Sequence, residues 1–289
     1  MRLSQFAEQY CLLRPHQSLK HRADIHRTVR RFVEANGDLV VYEIREIHIA
    51  KFLGALGERC RSSHSIKHYL AVLKAILNEA FQQGVRGRLP RFPKIRVEKR
   101  TPDAWSVEEI RLLFEFVKRL EGDVGLIPAR LWWESLLLAA YYTGLRISGL
   151  LNIFWFQVDL EGGFLRALTP KTSKEQVFAL PRDLVNLLRL IEKPLRAKVW
   201  EHPYHDKWPF RALRRIVDRA GIPAPRSMHG QLFQKMRRTC ITWTAVHDLS
   251  LATRIAGHAS PETTVKHYVD PRMLGAIRPV VPPIELKTG

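Results

Sequence analysis

The sequence is poor in acidic residues and in cysteine. It has 28 Asp and Glu against 47 Lys and Arg, which gives a formal net charge of +19. A field of that sign attracts polyanions, so a polyanionic partner is the first hypothesis. The three cysteines, Cys11, Cys60 and Cys240, are far apart and have no CxxC or metal-ligand spacing. We therefore expect reduced, packed thiols.

The sequence also lacks several patterns that would identify other classes of protein. No apolar run reaches the roughly 18 residues of a membrane span, and residues 1–5 lack the apolar core of a secretory signal. These absences predict a cytoplasmic protein that does not contact membranes. It shows no GxxxxGK[ST] loop, no Cys/His cluster and no grouping of carboxylates at metal-binding spacing. We expect no metal and no other cofactor, which argues against two-metal nucleases and transposases.

The 289 residues, 46% of them hydrophobic, are enough for one large domain or two ordinary ones. A basic segment from Arg88 to Pro102 contains Pro90 and Pro93 and cannot continue a helix. The net charge is +11 up to Pro102 and +8 after it, which favours a ligand held between two basic parts. We predict a helical domain over 1–90, a linker over 91–102 and a second domain over 103–289.

Hydrophobic periodicity predicts a mainly α protein with a small β-hairpin. Ser106 and Glu109 have capping-box spacing at the start of one helix, and Leu131–Tyr142 forms a long apolar helix. Two short strands, 164–168 and 176–180, flank a polar turn. Two further helices are predicted from one-face spacing, with the positions Leu70, Leu73, Ile76, Leu77 and Ala80, and Phe233, Met236, Cys240 and Trp243.

Four weak signals for chemistry lie after the linker. Arg146 follows a helix break, and Lys171 and Lys174 lie in the hairpin turn, where exposed turn residues are the ordinary explanation. Gln234 and Arg237 share one face of a helix, as they would on any basic amphipathic helix.

The fourth signal is a Gly-His pair, Gly257 and His258, followed by a short helix. Ser260 can cap this helix and Pro261 can begin it. Tyr268 then lies near the far end of the helix. A Tyr at such a place is more often half-buried packing than a nucleophile.

The order of these signals resembles the tyrosine recombinase, or phage integrase, family. That family is marked by an Arg after a Thr-Gly-Leu turn, a hairpin Lys, a His-x-x-Arg pair, a Gly-His and a Tyr shortly afterwards. The resemblance implies a C-shaped clamp on DNA, made of a helical core-binding domain and an α+β catalytic domain. It assigns catalytic roles to Arg146, Lys171, Gln234, Arg237, His258 and Tyr268.

Three positions depart from the family pattern. Gln234 stands where His is usual, Gly149 replaces a common Glu, and the interval from His258 to Tyr268 is one residue longer than expected. Glutamine can donate a hydrogen bond to a phosphate oxygen, but it cannot exchange a proton. The substitution therefore removes the family's usual proton acceptor from this position.

The resemblance implies a reaction in which Tyr268 attacks a DNA phosphate and forms a covalent 3′-phosphotyrosine. Arg146 and Arg237 would each present a charged fork to a non-bridging oxygen, and His258 would add a third donor. Lys171 would protonate the leaving 5′-oxygen as general acid. Because the family's usual His is absent, a water or His258 would accept the proton of the phenol.

The implied function is site-specific recombination or integration of double-stranded DNA for a mobile genetic element. The implied assembly is a homotetramer on two duplexes, with accessory DNA-bending proteins as further candidate partners. After Tyr268, a tail with apolar residues could pack on a neighbouring protomer or on its own domain. Three alternatives stay open: an integrase-derived DNA-binding protein that has lost catalysis, a type IB topoisomerase, and a basic RNA-binding module.

Overall fold

The computed structural model describes residues 1–60, 62–97, 101–168, 175–224, 231–257 and 260–270. The chain separates into two compact units, Met1–Arg100 and Thr101–Gly289. Two predicted site residues, Lys171 and His258, lie outside the described residues.

The first unit is helical in its described residues. The apolar face predicted around Leu73 is confirmed, since it is buried in a core shared with Phe6, Phe32 and Phe52. Ser18 caps the second helix by accepting a hydrogen bond from the His21 N–H. The helices are α1 (Leu3–Leu12), α2 (Leu19–Asn36), α3 (Glu46–Arg59) and α4 (Ser63–Gln82), with a 3₁₀ turn at Val41–Glu43.

The segment after α4 belongs largely to the first unit. Leu89, Phe92 and Ile95 pack against its core, although the sequence predicts a linker there. Buried Arg86 fixes the start of this segment by donating hydrogen bonds to three backbone carbonyls. The acceptors are the carbonyl oxygens of Val41, Ile44 and Arg88.

In its described residues the second unit is mainly helical, with one two-stranded and one three-stranded antiparallel sheet. This confirms the predicted fold class and the hairpin, in which Phe164 pairs with Ala179 and Leu168 with Glu175. The sequence did not predict β1, β2 or β3. The elements are α5 (Val107–Val117), β1 (Asp123–Val124), β2 (Ile127–Pro128), α6 (Ala129–Thr143), α7 (Ile147–Leu150), β3 (Val158–Asp159), β4 (Phe164–Leu168), β5 (Glu175–Ala179), α8 (Arg182–Arg189), α9 (Trp208–Arg219), α10 (Leu232–His247), α11 (Leu249–Ala256) and α12 (Pro261–Tyr268).

Helix α10 is central to the second unit, since it packs against α6, α9, α11 and α12. Its predicted core positions Phe233, Met236 and Cys240 are buried, while Trp243 is only half-buried. The capping box of α5 is confirmed: the Ser106 hydroxyl accepts from the Glu109 N–H, and the Glu109 carboxylate accepts from the Ser106 N–H.

No helix in the described ranges is long and apolar enough to cross a membrane.

Candidate active site

Arg146 is placed by the sharp end of α6. The helix stops at Gly144, whose φ of 59° lies in the left-handed region that glycine tolerates. A Cβ at Gly144 would lie 3.0 Å from Cγ2 of Ile255 and 3.1 Å from Sγ of Cys240. The chain then becomes extended at half-buried Arg146, directly before α7. The close packing at Gly144 therefore fixes where the chain leaves α6, and with it the position of Arg146.

Arg237 joins this turn to the end of α11. It lies on α10 with only 2% of its surface exposed. Its Nη1 donates to the Gly144 carbonyl, and its Nη2 donates to the Ala256 carbonyl at 2.7 Å. One buried guanidinium therefore holds together two segments that are more than a hundred residues apart in sequence.

Tyr268 ends the helix that the sequence predicts. The Ser260 hydroxyl accepts from the Thr263 N–H, Pro261 begins α12, and Tyr268 is its last residue. The tyrosine is 9% exposed and packs in a small apolar cluster with Ile241, Ala252 and Ala256.

The ring of Tyr268 lies beside the cation of Arg237. The guanidinium carbon is 5.1 Å from the ring centroid, and the two side chains also share a hydrogen bond. The side chain of Gln234, one turn earlier on α10, hydrogen-bonds to Tyr268 as well.

These neighbours alter how readily the phenol ionises. Burial raises the pKa of Tyr268, but the charge and hydrogen bond of Arg237, the charge of Arg146 and the hydrogen bond of Gln234 together outweigh it. The pKa of Tyr268 therefore lies below its ordinary value of 10.0. Burial, followed by repulsion from Arg146, lowers the pKa of Arg237, and Tyr268 partly opposes this.

A cavity of about 420 Å³ lies beside the two arginines. Arg146 and Arg237 line it together with the hairpin residues Leu168 and Gln176. The Gln176 amide also donates to the Arg254 carbonyl at 2.6 Å, which ties β5 to α11. Two guanidinium groups around one opening suit an anion such as a phosphate.

Four of the six predicted site residues come together: Arg146, Gln234, Arg237 and Tyr268. The other two, Lys171 and His258, fall outside the described residues, but described residues close to both of them in sequence reach the site. Leu168 and Gln176, on either side of the hairpin turn, line the cavity. Ala256, two residues before His258, accepts a hydrogen bond from Arg237.

The role of Lys235, which lies between two site residues in a basic run, is visible only in the structure. It is buried, its Nζ lies 3.2 Å from Asp103 and 3.5 Å from Glu109, and it stacks over Trp105 at 4.3 Å from the ring centroid. Nothing in the sequence distinguishes it from Arg237 and Arg238, the other cations of that run. Its ion pairs fix the start of the second unit on α10.

Within the described ranges no group of three or more His, Cys, Asp or Glu side chains is arranged to hold a metal ion. The cationic side chains at the cavity do not offer the oxygen ligands that Mg²⁺ or Ca²⁺ prefers.

Comparison with known proteins connects this geometry to a family. The profile of the phage integrase family matches residues 106–274. The tyrosine recombinase XerA of Pyrococcus furiosus is 26% identical over 228 residues, which cover 74% of this chain and 72% of XerA. The tyrosine recombinase XerD of Listeria innocua is 23% identical over 233 residues, 75% of each chain.

Two solved structures share the fold. A Tn1549 transposon integrase in complex with a circular intermediate DNA has a TM-score of 0.74 at 15% identity, and the match covers 93% of this chain and 95% of that one. A lambda integrase dimer bound to a COC′ core site has a TM-score of 0.73 at 15% identity, covering 98% and 99%. Because the family profile spans more than half of the sequence, the chain belongs to the phage integrase family and is a tyrosine recombinase.

Proposed function

We propose that this protein is a site-specific recombinase that cuts and rejoins double-stranded DNA through a covalent 3′-phosphotyrosine. The observation that carries the proposal is the convergence of the Tyr268 side chain with Arg237, Arg146 and Gln234, next to a cavity that the two arginines border. A phenol close to two guanidinium groups is the arrangement that in-line attack on a phosphodiester needs.

In the proposed step, the oxygen of Tyr268 forms a bond to phosphorus while the bond to the 5′-oxygen breaks. Negative charge grows on the non-bridging oxygens, where Arg146 and Arg237 stabilise it. Lys171 gives the departing 5′-oxygen its proton. The reverse step, with the 5′-hydroxyl of another strand as nucleophile, joins new partners.

Ionisation of the nucleophile is the step in which this chain departs from its family. Gln234 cannot accept a proton, but its amide can donate a hydrogen bond to the phenolate. Together with Arg237, this lowers the pKa of Tyr268, so a larger fraction of the phenol is ionised near neutral pH. A water or His258 then accepts the proton that leaves.

The reaction needs neither metal nor ATP. The phosphotyrosine is a phosphodiester like the one it replaces, so the energy of the broken bond is kept for the rejoining step. The arginines supply the charge stabilisation that a metal would otherwise give.

The exposed side of α9 supports DNA as the substrate. Lys207, Arg211, Arg215 and Arg219 follow one another every four residues and are all exposed. None of the four forms a salt bridge with a described carboxylate. Like charges at this spacing destabilise a helix, which a polyanion bound along it would offset.

The proposed assembly is a homotetramer on two DNA duplexes. A lambda integrase tetramer bound to a Holliday junction shares the fold, with a TM-score of 0.68 at 15% identity and coverage of 91% and 77%. Exchange of strands between two duplexes requires one nucleophile for each strand that is cut, and four protomers supply them.

Trapping on nicked suicide DNA tests the proposal. We expect the wild-type protein to form a covalent adduct that survives denaturing electrophoresis, and Tyr268→Phe to bind the same DNA without forming it. DNA binding with no adduct from the wild-type protein would instead support the alternative of a DNA-binding protein without catalysis. An adduct from Tyr268→Phe would remove Tyr268 from the mechanism.

A further inference from the structure

The backbone that follows α12 is held by one threonine. Thr242 of α10 is fully buried. Its hydroxyl donates to the carbonyl of Tyr268 at 2.9 Å and accepts from the N–H of Asp270 at 3.1 Å. A single side chain thus satisfies the peptide groups on both sides of Val269, directly behind the proposed nucleophile.

Asp270 attaches the same backbone to the beginning of the second unit. Its side chain is buried, with 1% of the residue exposed, and accepts from the Ala104 N–H at 3.1 Å. The next N–H, that of Trp105, donates to the hydroxyl of Thr239 at 2.8 Å. A buried carboxylate is costly to place, so the site depends on the groups that pair with it.

Both attachments converge on α10. Its residues Gln234 and Arg237 contact the side chain of Tyr268, while Thr242 binds the backbone of Tyr268. Lys235 and Thr239 of the same helix hold residues 103–105, on which Asp270 rests. The side chain and the backbone of Tyr268 are therefore both held by α10.

We propose that Thr242 and Asp270 are positioning residues that hold the Tyr268 hydroxyl against Arg237 and Gln234. The inference rests on the proposed function of Tyr268 as nucleophile. Without these contacts the end of α12 is free to shift, and the phenol moves away from the groups that favour its ionisation. A displacement of about 1 Å at a reacting group can cost roughly 100-fold in rate.

The variants Thr242→Val and Thr242→Ser separate positioning from packing. Valine has nearly the shape of threonine but makes neither hydrogen bond, whereas serine keeps the hydroxyl. Thr244→Val is the matched control, because Thr244 lies on the same helix and its hydroxyl donates only within the helix, to the Cys240 carbonyl at 2.8 Å. Asp270→Ala and Asp270→Asn form a second pair, since asparagine keeps an acceptor for the Ala104 N–H.

We expect Thr242→Val to slow single-turnover adduct formation by roughly 10- to 100-fold, with DNA affinity within about twofold of wild type. The pH dependence of the rate should move to more alkaline pH, because the displaced phenol titrates closer to its ordinary value. Thr242→Ser should recover most of the rate, and Thr244→Val should match wild type. A slower rate with an unshifted pH profile would indicate ordinary destabilisation and would overturn the proposal.

An NMR titration of the tyrosine ring carbons, with Tyr268 assigned through Tyr268→Phe, tests the inference without DNA or turnover. Thr242→Val and Asp270→Ala should both raise the midpoint of the Tyr268 titration. Unchanged Tyr268 titration midpoints in both variants would overturn the inference but would not contradict the phosphotyrosine proposal. A wild-type protein that forms no adduct would overturn the proposed function. The titration would still show whether Thr242 and Asp270 position the phenol.

Discussion

At the residue scale, Arg237 is both a structural link and a candidate catalytic group. Its guanidinium satisfies the carbonyls of Gly144 and Ala256 while its cation lies beside Tyr268. Lysine keeps the charge, but it lacks the planar fork that reaches both carbonyls. The charge at this position is evident from the sequence, whereas the structural link becomes visible only in the fold.

We expect Arg237→Lys to lower the free energy of unfolding by about 1–3 kcal/mol, because it leaves a buried carbonyl without a donor. Adduct formation should also fall. Urea denaturation and single-turnover cleavage measure the two effects. Arg254→Lys, at an exposed position on neighbouring α11, should leave the free energy of unfolding unchanged. Equal stability of both variants would contradict the linking role.

We expect Gln234 to influence the pH dependence of the proposed reaction. A phenol ionises as pH rises, and the amide of Gln234 helps to hold the pKa of Tyr268 below its ordinary value. Gln234→Leu removes this donor, so the pH–rate profile should move to more alkaline pH and cleavage at neutral pH should slow. Gln234→His should speed cleavage, because an imidazole can also accept the proton. Single-turnover rates across pH check both variants, and an unmoved profile in Gln234→Leu would count against the hydrogen bond.

At the element scale, the turn between α6 and α7 depends on a glycine. Gly144→Ala would force a left-handed backbone on alanine, at a cost of about 1–2 kcal/mol. Its Cβ would also press on Ile255 and Cys240. We expect a lower unfolding midpoint and slower cleavage.

Gly149→Ala is the control for that variant. Gly149 lies in α7 outside the left-handed region, and a Cβ there would meet no atom within 4 Å. Alanine should stabilise this helix by up to about 1 kcal/mol. Calorimetry of both variants measures their unfolding midpoints. Equal shifts of the two midpoints would show that the effect at Gly144 does not come from its left-handed conformation.

Elements whose signals are local could be predicted from the sequence. The capping box at Ser106, the helix break before Arg146, the hairpin and the Ser260-Pro261 helix start all depend on residues a few positions apart. The order of the candidate site residues could also be recognised in the sequence, and four of these residues lie together in the structure.

Features that depend on distant partners could not be predicted. Thr242 looks like any helical threonine until the fold places Tyr268 and Asp270 against its hydroxyl. Lys235 reads as one more surface cation, and its partner Asp103 lies 132 positions earlier. Strands β1 and β2 are two residues each, too short for a periodic pattern.

At the scale of the whole molecule, the excess of cations predicts strongly salt-dependent DNA binding. Each phosphate contact that is lost lowers the magnitude of the slope of log K against log salt by about one. We expect Arg211→Gln with Arg215→Gln on α9 to reduce the slope by about two. Arg111→Gln should change it less, because Arg111 already forms salt bridges with Glu108 and Glu115. Fluorescence anisotropy over a salt series measures the slopes, and equal slopes would exclude α9 from the interface.

The packing of Tyr268 also predicts which protomer of the proposed tetramer would supply the nucleophile for each strand break. Its ring is part of an apolar cluster with Ile241 and Ala252 of its own unit, beside its own Arg237. Donating this phenol to a neighbour's phosphate would require the cluster to open. A mixture of Tyr268→Phe and Arg146→Ala should therefore cut no DNA, and restored cutting in a gel assay would show that tyrosines are exchanged. If the mixture cuts no DNA, each strand is cut by a single polypeptide, and the proposed tetramer brings together active sites that are each complete.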